Sequence, residues 1–313
     1  MDALQRYGTQ FPSSRAFIAI PLYEELEALL EQMFGYPAIA AASTSLAHIS
    51  NIPVLVTKDD AVILDHQVHA SVHNAVKMVK AMGTHVEMIR HSRMDLLEDR
   101  IKKLSQKYDR VYYMADGIYS MFGDGAPVED LYALMDQYEQ FHLYIDDAHG
   151  MGWTGRNGSG YVLQRIPFHR KMILVTSLNK SFAAGGGATI CPDMQTKELI
   201  RRTGSTLIFS GPIQPPLLGA AVASAKFHLS DECPVRQRAL SDRLEYFVNL
   251  AKRHDLLLVN EDRTPIFFLA VGKPDIGYKL CRRMMDLGYY MNIAVYPAVP
   301  YKNTGLRITI TNH

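Results

Sequence analysis

Cysteine is scarce. Cys191, Cys233 and Cys281 are three scattered thiols in 313 residues, odd in number and with no CxxC pair. That pattern excludes a disulfide-stapled secreted scaffold and a cysteine-built zinc centre, and it fits reduced thiols in a cytoplasm. A surplus of one charge is missing too: 33 Lys and Arg stand against 32 Asp and Glu, for a net +1. With no basic excess to draw the chain onto phosphate backbones, nucleic acid is not the expected partner and a small molecule is. Nothing approaches the roughly 18 consecutive apolar residues that a membrane span takes, and the start, Met1-Asp2-Ala3-Leu4-Gln5-Arg6, has no apolar signal core. Internal repeats and low-complexity tracts are not found. The 48% of apolar and 21% of charged residues are ordinary globular usage, in a length that holds a large domain and a smaller one. The expectation is a cytoplasmic protein without a membrane span.

The first clear element is an amphipathic helix over 21–34. Pro21 suits its first turn, Leu22, Leu26, Leu29, Leu30 and Met33 recur at helical spacing, and Gly35 marks its end. Short apolar runs then follow at 38–43, 61–64, 85–89, 110–115, 142–145 and 172–176, mostly separated by stretches of helical length. This rhythm predicts an α/β fold with a mostly parallel sheet flanked by helices, because solid apolar runs such as Met172-Ile173-Leu174-Val175 belong to strands covered on both faces. Beyond about 230 the pattern changes to a long helix near 235–254, apolar runs at 256–259 and 266–269, a helix near 274–287 and strands near 289–295 and 306–311. The expected organisation is an N-terminal segment and helix (1–35), a large domain (36–230) and a small C-terminal α+β domain (231–313).

In such a sheet the ligand lies beyond the carboxyl ends of the strands. The residues there are polar: Ser43, Thr44 and Ser45; Asp116 and Ser120; Asp146, Asp147 and His149; Ser177 and Lys180. A carboxylate, an imidazole, an amine and hydroxyls at helix N-termini suit a phosphorylated, ring-bearing cofactor bound through an amine.

Three segments carry more. Ser177-Leu178-Asn179-Lys180-Ser181-Phe182-Ala183-Ala184-Gly185-Gly186-Gly187, Tyr144-Ile145-Asp146-Asp147-Ala148-His149-Gly150 and Gly117-Ile118-Tyr119-Ser120-Met121-Phe122-Gly123-Asp124-Gly125-Ala126-Pro127 resemble the α-oxoamine synthase family of pyridoxal-phosphate enzymes, within the fold-type I aminotransferase superfamily. His69-Ala70-Ser71 and Gly305-Leu306-Arg307-Ile308-Thr309 add to the resemblance, which runs from about Tyr7 to the end. It implies pyridoxal 5'-phosphate as cofactor, Lys180 as its Schiff-base lysine and Asp146 as the partner of its pyridine nitrogen. His149 and Ser120 would lie near the cofactor's phenolic oxygen, and His69 would stack on the ring. Ser177, the backbone amides of Ser45 and Leu46, and Ser210 from a neighbouring subunit would receive the phosphate. Arg307 would clamp an amino-acid carboxylate. The implied activity condenses an amino acid with an acyl thioester, acyl-CoA, to an α-aminoketone with decarboxylation, and the implied assembly is a homodimer. Strand alternation around 306–311 independently sets Arg307, Thr309 and Thr311 on the face opposite Leu306, Ile308 and Ile310.

The chain also departs from the family. Thr44-Ser45-Leu46 stands where Ser-Gly-aromatic is usual, Tyr23 where a histidine is common, Ala19-Ile20-Pro21 in place of a glycine-rich stretch, and Asp116 in place of a glutamate. No closing helix is expected before His313. Two other readings use the same residues: an aminotransferase with the same cofactor, and a metal-dependent hydrolase in which His66, His69 and His73 share a helix face alongside Asp146 and His149. In the latter, Lys180 and the glycines have no task.

Overall fold

The computed structural model describes residues 1–312, in two units: Met1–Gly117 with Ala126–Cys233, and Ile118–Gly125 with the chain from Pro234 onward. The first unit is built on a seven-stranded sheet of β1 (Ala38–Ala41), β2 (Ala61–Asp65), β3 (His85–Ile89), β4 (Val111–Asp116), β5 (Phe141–Asp146), β6 (Met172–Ser177) and β7 (Gly187–Ile190), in the order β1-β7-β6-β5-β4-β2-β3. Strands β2 to β6 pair parallel, whereas β7 runs antiparallel to both β6 and β1. Every residue of β1, β2, β4, β6 and β7 is buried, as solid apolar runs require. In β5 only His142 is less than buried, whereas edge strand β3 is mostly unburied and carries His85 and Glu87. The α/β expectation holds; β7, with its leading glycine and only four residues, escaped the pattern.

The helices of this unit are α1 (Asp2–Tyr7), α2 (Pro21–Phe34), α3 (Thr44–Leu55), α4 (Ala70–Ala81), α5 (Met94–Leu104), α6 (Val128–Gln137), α7 (Tyr161–Arg165), α8 (Met194–Thr203), α9 (Ser205–Ile208) and α10 (Pro215–His228). Helix α2 starts on Pro21 and stops at Gly35, whose φ of 76° is the left-handed cap that glycine takes without strain. Its buried stripe includes Leu26, Leu30, Met33 and Phe34. Helix α3 matters more for function, because it begins immediately after β1. The Ser43 side chain caps it by accepting the Leu46 amide, and a Cβ on Gly187 would strike the backbone of Thr44, so only glycine in β7 lets the helix start lie this close to the sheet.

The second unit holds an antiparallel sheet of β8 (Ile266–Gly272), β9 (Asn292–Ala294) and β10 (Thr304–Thr309), in the order β8-β10-β9, with α11 (Glu232–Arg253) and α12 (Pro274–Asp286). Residues 118–125 are tied into it: Met121 and Phe122 pack on Phe268 and Val299, and the Thr264 hydroxyl donates to the Gly123 carbonyl at 2.6 Å. The run 256–259 is not a strand. It makes a single bridge, Leu258 to Leu269, and Leu257 is 70% exposed. Among the described residues no helix is long and apolar enough to cross a membrane.

Candidate active site

In the first unit the carboxyl ends of β4, β5 and β6 and the turn after β1 border a cavity of about 160 Å³. Ser43, Thr44 and Ser45 enter it from the start of α3, Asp116 and Asp146 from the ends of β4 and β5, and Ser177, Asn179 and Lys180 from the end of β6. His69 and His149 complete it. Strand register explains the convergence: Asp116 pairs with Asp146, and Asp146 with Val175, so parallel strands of matched length deliver their last residues to one place.

Lys180 is exposed to this cavity between two fully buried anchors, Leu178 and Phe182. Phe182 stacks on His228 with ring centroids 4.8 Å apart, and its carbonyl accepts from the Ser224 hydroxyl at 2.5 Å. The loop is thereby fixed on either side of Lys180. Lys180 Nζ lies 2.9 Å from His149 Nε2.

Asp146 is 5% exposed. Its Oδ1 accepts the Ala148 amide at 3.0 Å and its Oδ2 meets His48 Nε2 at 2.9 Å. Burial pushes its carboxyl up, but the His48 ring, Lys180 and the Ala148 amide together hold it below the ordinary aspartate value. Asp116 goes the other way. Burial, and then the Asp146 charge beside it, raise its carboxyl well above the usual range, while the His69 amide donates to it at 3.0 Å. Two adjacent carboxyl groups cannot both ionise cheaply in a buried site, so the environment favours the charge on Asp146 and the proton on Asp116. His69 Nδ1 is 2.7 Å from the Ser71 hydroxyl, and partial burial of its ring lowers its imidazole below the usual value.

Of the residues singled out by sequence, Lys180, Asp146, His149, His69, Ser177 and Ser45 share this cavity. Ser177 donates its hydroxyl to Asn179 Oδ1. Leu46 does not line the cavity, and its amide is already taken by the Ser43 cap. The amides at the first two positions of α3, those of Thr44 and Ser45, are the ones left for an anion. Ser120 and Arg307 belong to the second unit, where they meet: Arg307 Nε donates to the Ser120 carbonyl at 2.8 Å. Arg307 is half-buried on β10, paired with Phe268 of β8. Ser210, half-buried, follows the short helix α9. Asp147 points away from the cavity and is fully buried, with Oδ2 accepting the Val162 amide at 3.1 Å. Helix α4 starts only at Ala70, with His69 as its N-cap, so His66 precedes the helix and the three-histidine face assumed by the hydrolase reading does not form. Among the described residues no group of three or more His, Cys, Asp or Glu could hold a metal. His48, which the sequence reading missed, sits on the buried face of α3 and has no motif of its own.

This donor set fits pyridoxal phosphate chemically. It offers an exposed amine, an ionised carboxylate with an imidazole behind it, a ring-sized imidazole, and two open amides beside hydroxyls. Fold and site define a fold-type I transferase that depends on pyridoxal phosphate. The chain belongs to the aminotransferase class I and II family, whose sequence profile matches residues 2–313. Among curated relatives, the 8-amino-7-oxononanoate synthase of Maricaulis maris is 29% identical over 98% of this chain and 75% of its own length. That of Alkaliphilus metalliredigens is 26% identical over 97% and 75%. Among solved structures, the serine palmitoyltransferase of Sphingomonas wittichii superposes with a TM-score of 0.91 at 22% identity, covering 99% of this chain and 76% of that one. The α-oxoamine synthase resemblance read from the motifs agrees with these relatives.

Proposed function

We propose that the chain condenses an amino acid with an acyl thioester, acyl-CoA, releasing carbon dioxide and the free thiol and giving an α-aminoketone. The observation that carries this reading is the Lys180 amine held 2.9 Å from His149 in the cavity floored by Asp146. Bound there, pyridoxal phosphate supplies an electron sink for the carbanion that attacks the thioester. Lys180 anchors the cofactor through its amine and, once the amino acid takes its place, serves as the base at the substrate α-carbon. His149 shares a proton with that amine. Asp146 keeps the pyridine nitrogen protonated, and its ionised state is what that task needs. His69 lies against the ring face, while the Thr44 and Ser45 amides and Ser177 receive the phosphate. Arg307 is assigned the substrate carboxylate, Ser120 the cofactor's neighbourhood and Ser210 the phosphate in a neighbouring copy of a homodimer.

The names of the relatives favour acyl condensation over amino-group transfer. Supplying single amino acids with acyl-CoA and following thiol release and carbon dioxide tests it: coupled release of both supports the condensation. Accumulation of pyridoxamine phosphate with an amino acid alone, and no thiol release, would replace it with aminotransfer.

A further inference from the structure

Behind Asp146 stand three buried groups that the proposed chemistry has not used. His48 is fully buried and spends both ring nitrogens: Nε2 lies 2.9 Å from Asp146 Oδ2, and Nδ1 lies 2.8 Å from the Tyr144 hydroxyl. Asn51, one turn along the same face of α3, donates its amide to that hydroxyl at 3.4 Å and to the Thr189 hydroxyl on β7 at 2.7 Å. Among the described residues the Tyr144 hydroxyl has these two partners, His48 and Asn51.

The protons can be assigned by accounting. Asn51 donates to the Tyr144 oxygen, so the phenol's own proton goes to His48 Nδ1. Burial pushes the Tyr144 phenol well above its ordinary value, so it keeps that proton. The His48 proton is then on Nε2, aimed at Asp146 Oδ2. With Oδ1 tied to the Ala148 amide and Oδ2 to His48, both carboxylate oxygens are held and the group cannot rotate. A ring placed here only for packing would leave polar atoms to be desolvated without return, whereas each nitrogen of His48 is matched.

We propose that His48 is a positioning residue whose tautomer is fixed by Tyr144 and Asn51, and that it presents the Asp146 carboxylate to the pyridine nitrogen of pyridoxal phosphate in a single orientation. This rests on the reading of Asp146 as the partner of that nitrogen. Outer partners that orient a primary ligand are worth roughly ten- to a hundredfold in function.

The test is nitrogen NMR of the holoprotein loaded with ring-¹⁵N pyridoxal phosphate, alongside kcat and KM. In His48→Ala and in Tyr144→Phe the ring-nitrogen signal should move toward the unprotonated position and kcat should fall roughly ten- to a hundredfold, with KM for the amino acid close to wild type. His48→Gln, whose amide can stand in for the Nε2 donor, should recover part of both. Should His48→Ala fail to fold, Tyr144→Phe, which removes one oxygen and keeps the ring, carries the same reading. A signal that moves in Asp146→Asn but stays at its wild-type position in His48→Ala and Tyr144→Phe overturns the role of His48 alone. A signal that Asp146→Asn leaves unmoved overturns the Asp146 reading and this inference with it.

Discussion

A buried carboxylate survives only where its surroundings replace the water it has lost, and two aspartates show how differently that is done. Asp146 is met by the His48 ring, Lys180 and the Ala148 amide, and stays ionised. Asp146→Asn keeps the shape and removes the charge, so turnover should fall by several powers of ten, each worth about 1.4 kcal/mol of barrier. Steady-state kinetics on cofactor-loaded protein checks it, and near wild-type turnover would remove Asp146 from the chemistry. Asp65 has a structural task. It accepts from His91 Nδ1 at 2.9 Å, the Gln67 and Ser92 amides at 2.7 and 2.9 Å, and the Tyr113 hydroxyl at 2.8 Å. Burial works against its charge, but these donors hold its carboxyl below the ordinary value. A folded value below the unfolded one, ~3.9, means stability that is complete above that pH and lost as pH falls through the folded value. Asp65→Asn should therefore cost about 3 kcal/mol at neutral pH, and denaturant melts should find the gap to wild type narrowing in acid. A gap independent of pH would contradict the assignment. Single residues were legible where a motif names them, as with Lys180, Asp146 and His149. His48 was not, because its meaning depends on which face of α3 turns toward β5, and in α3 polar and apolar residues alternate without a clear helical stripe.

Elements were legible where period and punctuation agreed. Helix α2, with Pro21 and Gly35 at its ends, falls on its expected bounds, and β3 does too. Strand β7 was missed because a glycine-led, four-residue antiparallel strand has no period to read. Of the two apolar runs at 256–259 and 266–269 the second becomes β8, whereas the first makes an isolated bridge, since four apolar residues can cover a surface as well as enter a sheet. The loop between β5 and α7 shows a constraint that the sequence conceals. Asp147 lies at its centre with Gly117, Gly150 and Gly160 packed around the carboxyl, so that a Cβ on any of them would overlap it. Gly160 also has a φ of 100°, where a side chain is strained. Gly160→Ala should lower stability by at least about 2 kcal/mol through strain and overlap together. Thermal melts measure this, and an unchanged melting temperature would show that the loop relaxes freely.

For the whole molecule, the balanced charge pointed to a small-molecule partner, the rhythm of apolar runs to an α/β fold and the motifs to an enzyme, and family membership agrees with the last two. Assembly is the further step. The implied homodimer brings Ser210 to a neighbouring subunit, and in the stretch around it Phe209 is 87% exposed while Ile213 is buried, its amide donating to the Tyr23 hydroxyl at 2.6 Å. An exposed phenylalanine beside an anchored chain suits a face that a second copy covers. Phe209→Glu should then yield folded monomers that hold cofactor poorly. Light scattering on wild type and variant decides it, and a wild-type monomer with full activity would refute a shared site.

The proposed chemistry depends above all on Lys180 being the amine through which the cofactor is held. Borohydride reduction of the holoprotein, followed by digestion and mass spectrometry, tests it most directly. A phosphopyridoxyl label is expected on the peptide containing Lys180 and none in Lys180→Ala; a label on another lysine, or no label on a protein that binds the cofactor, would rule Lys180 out.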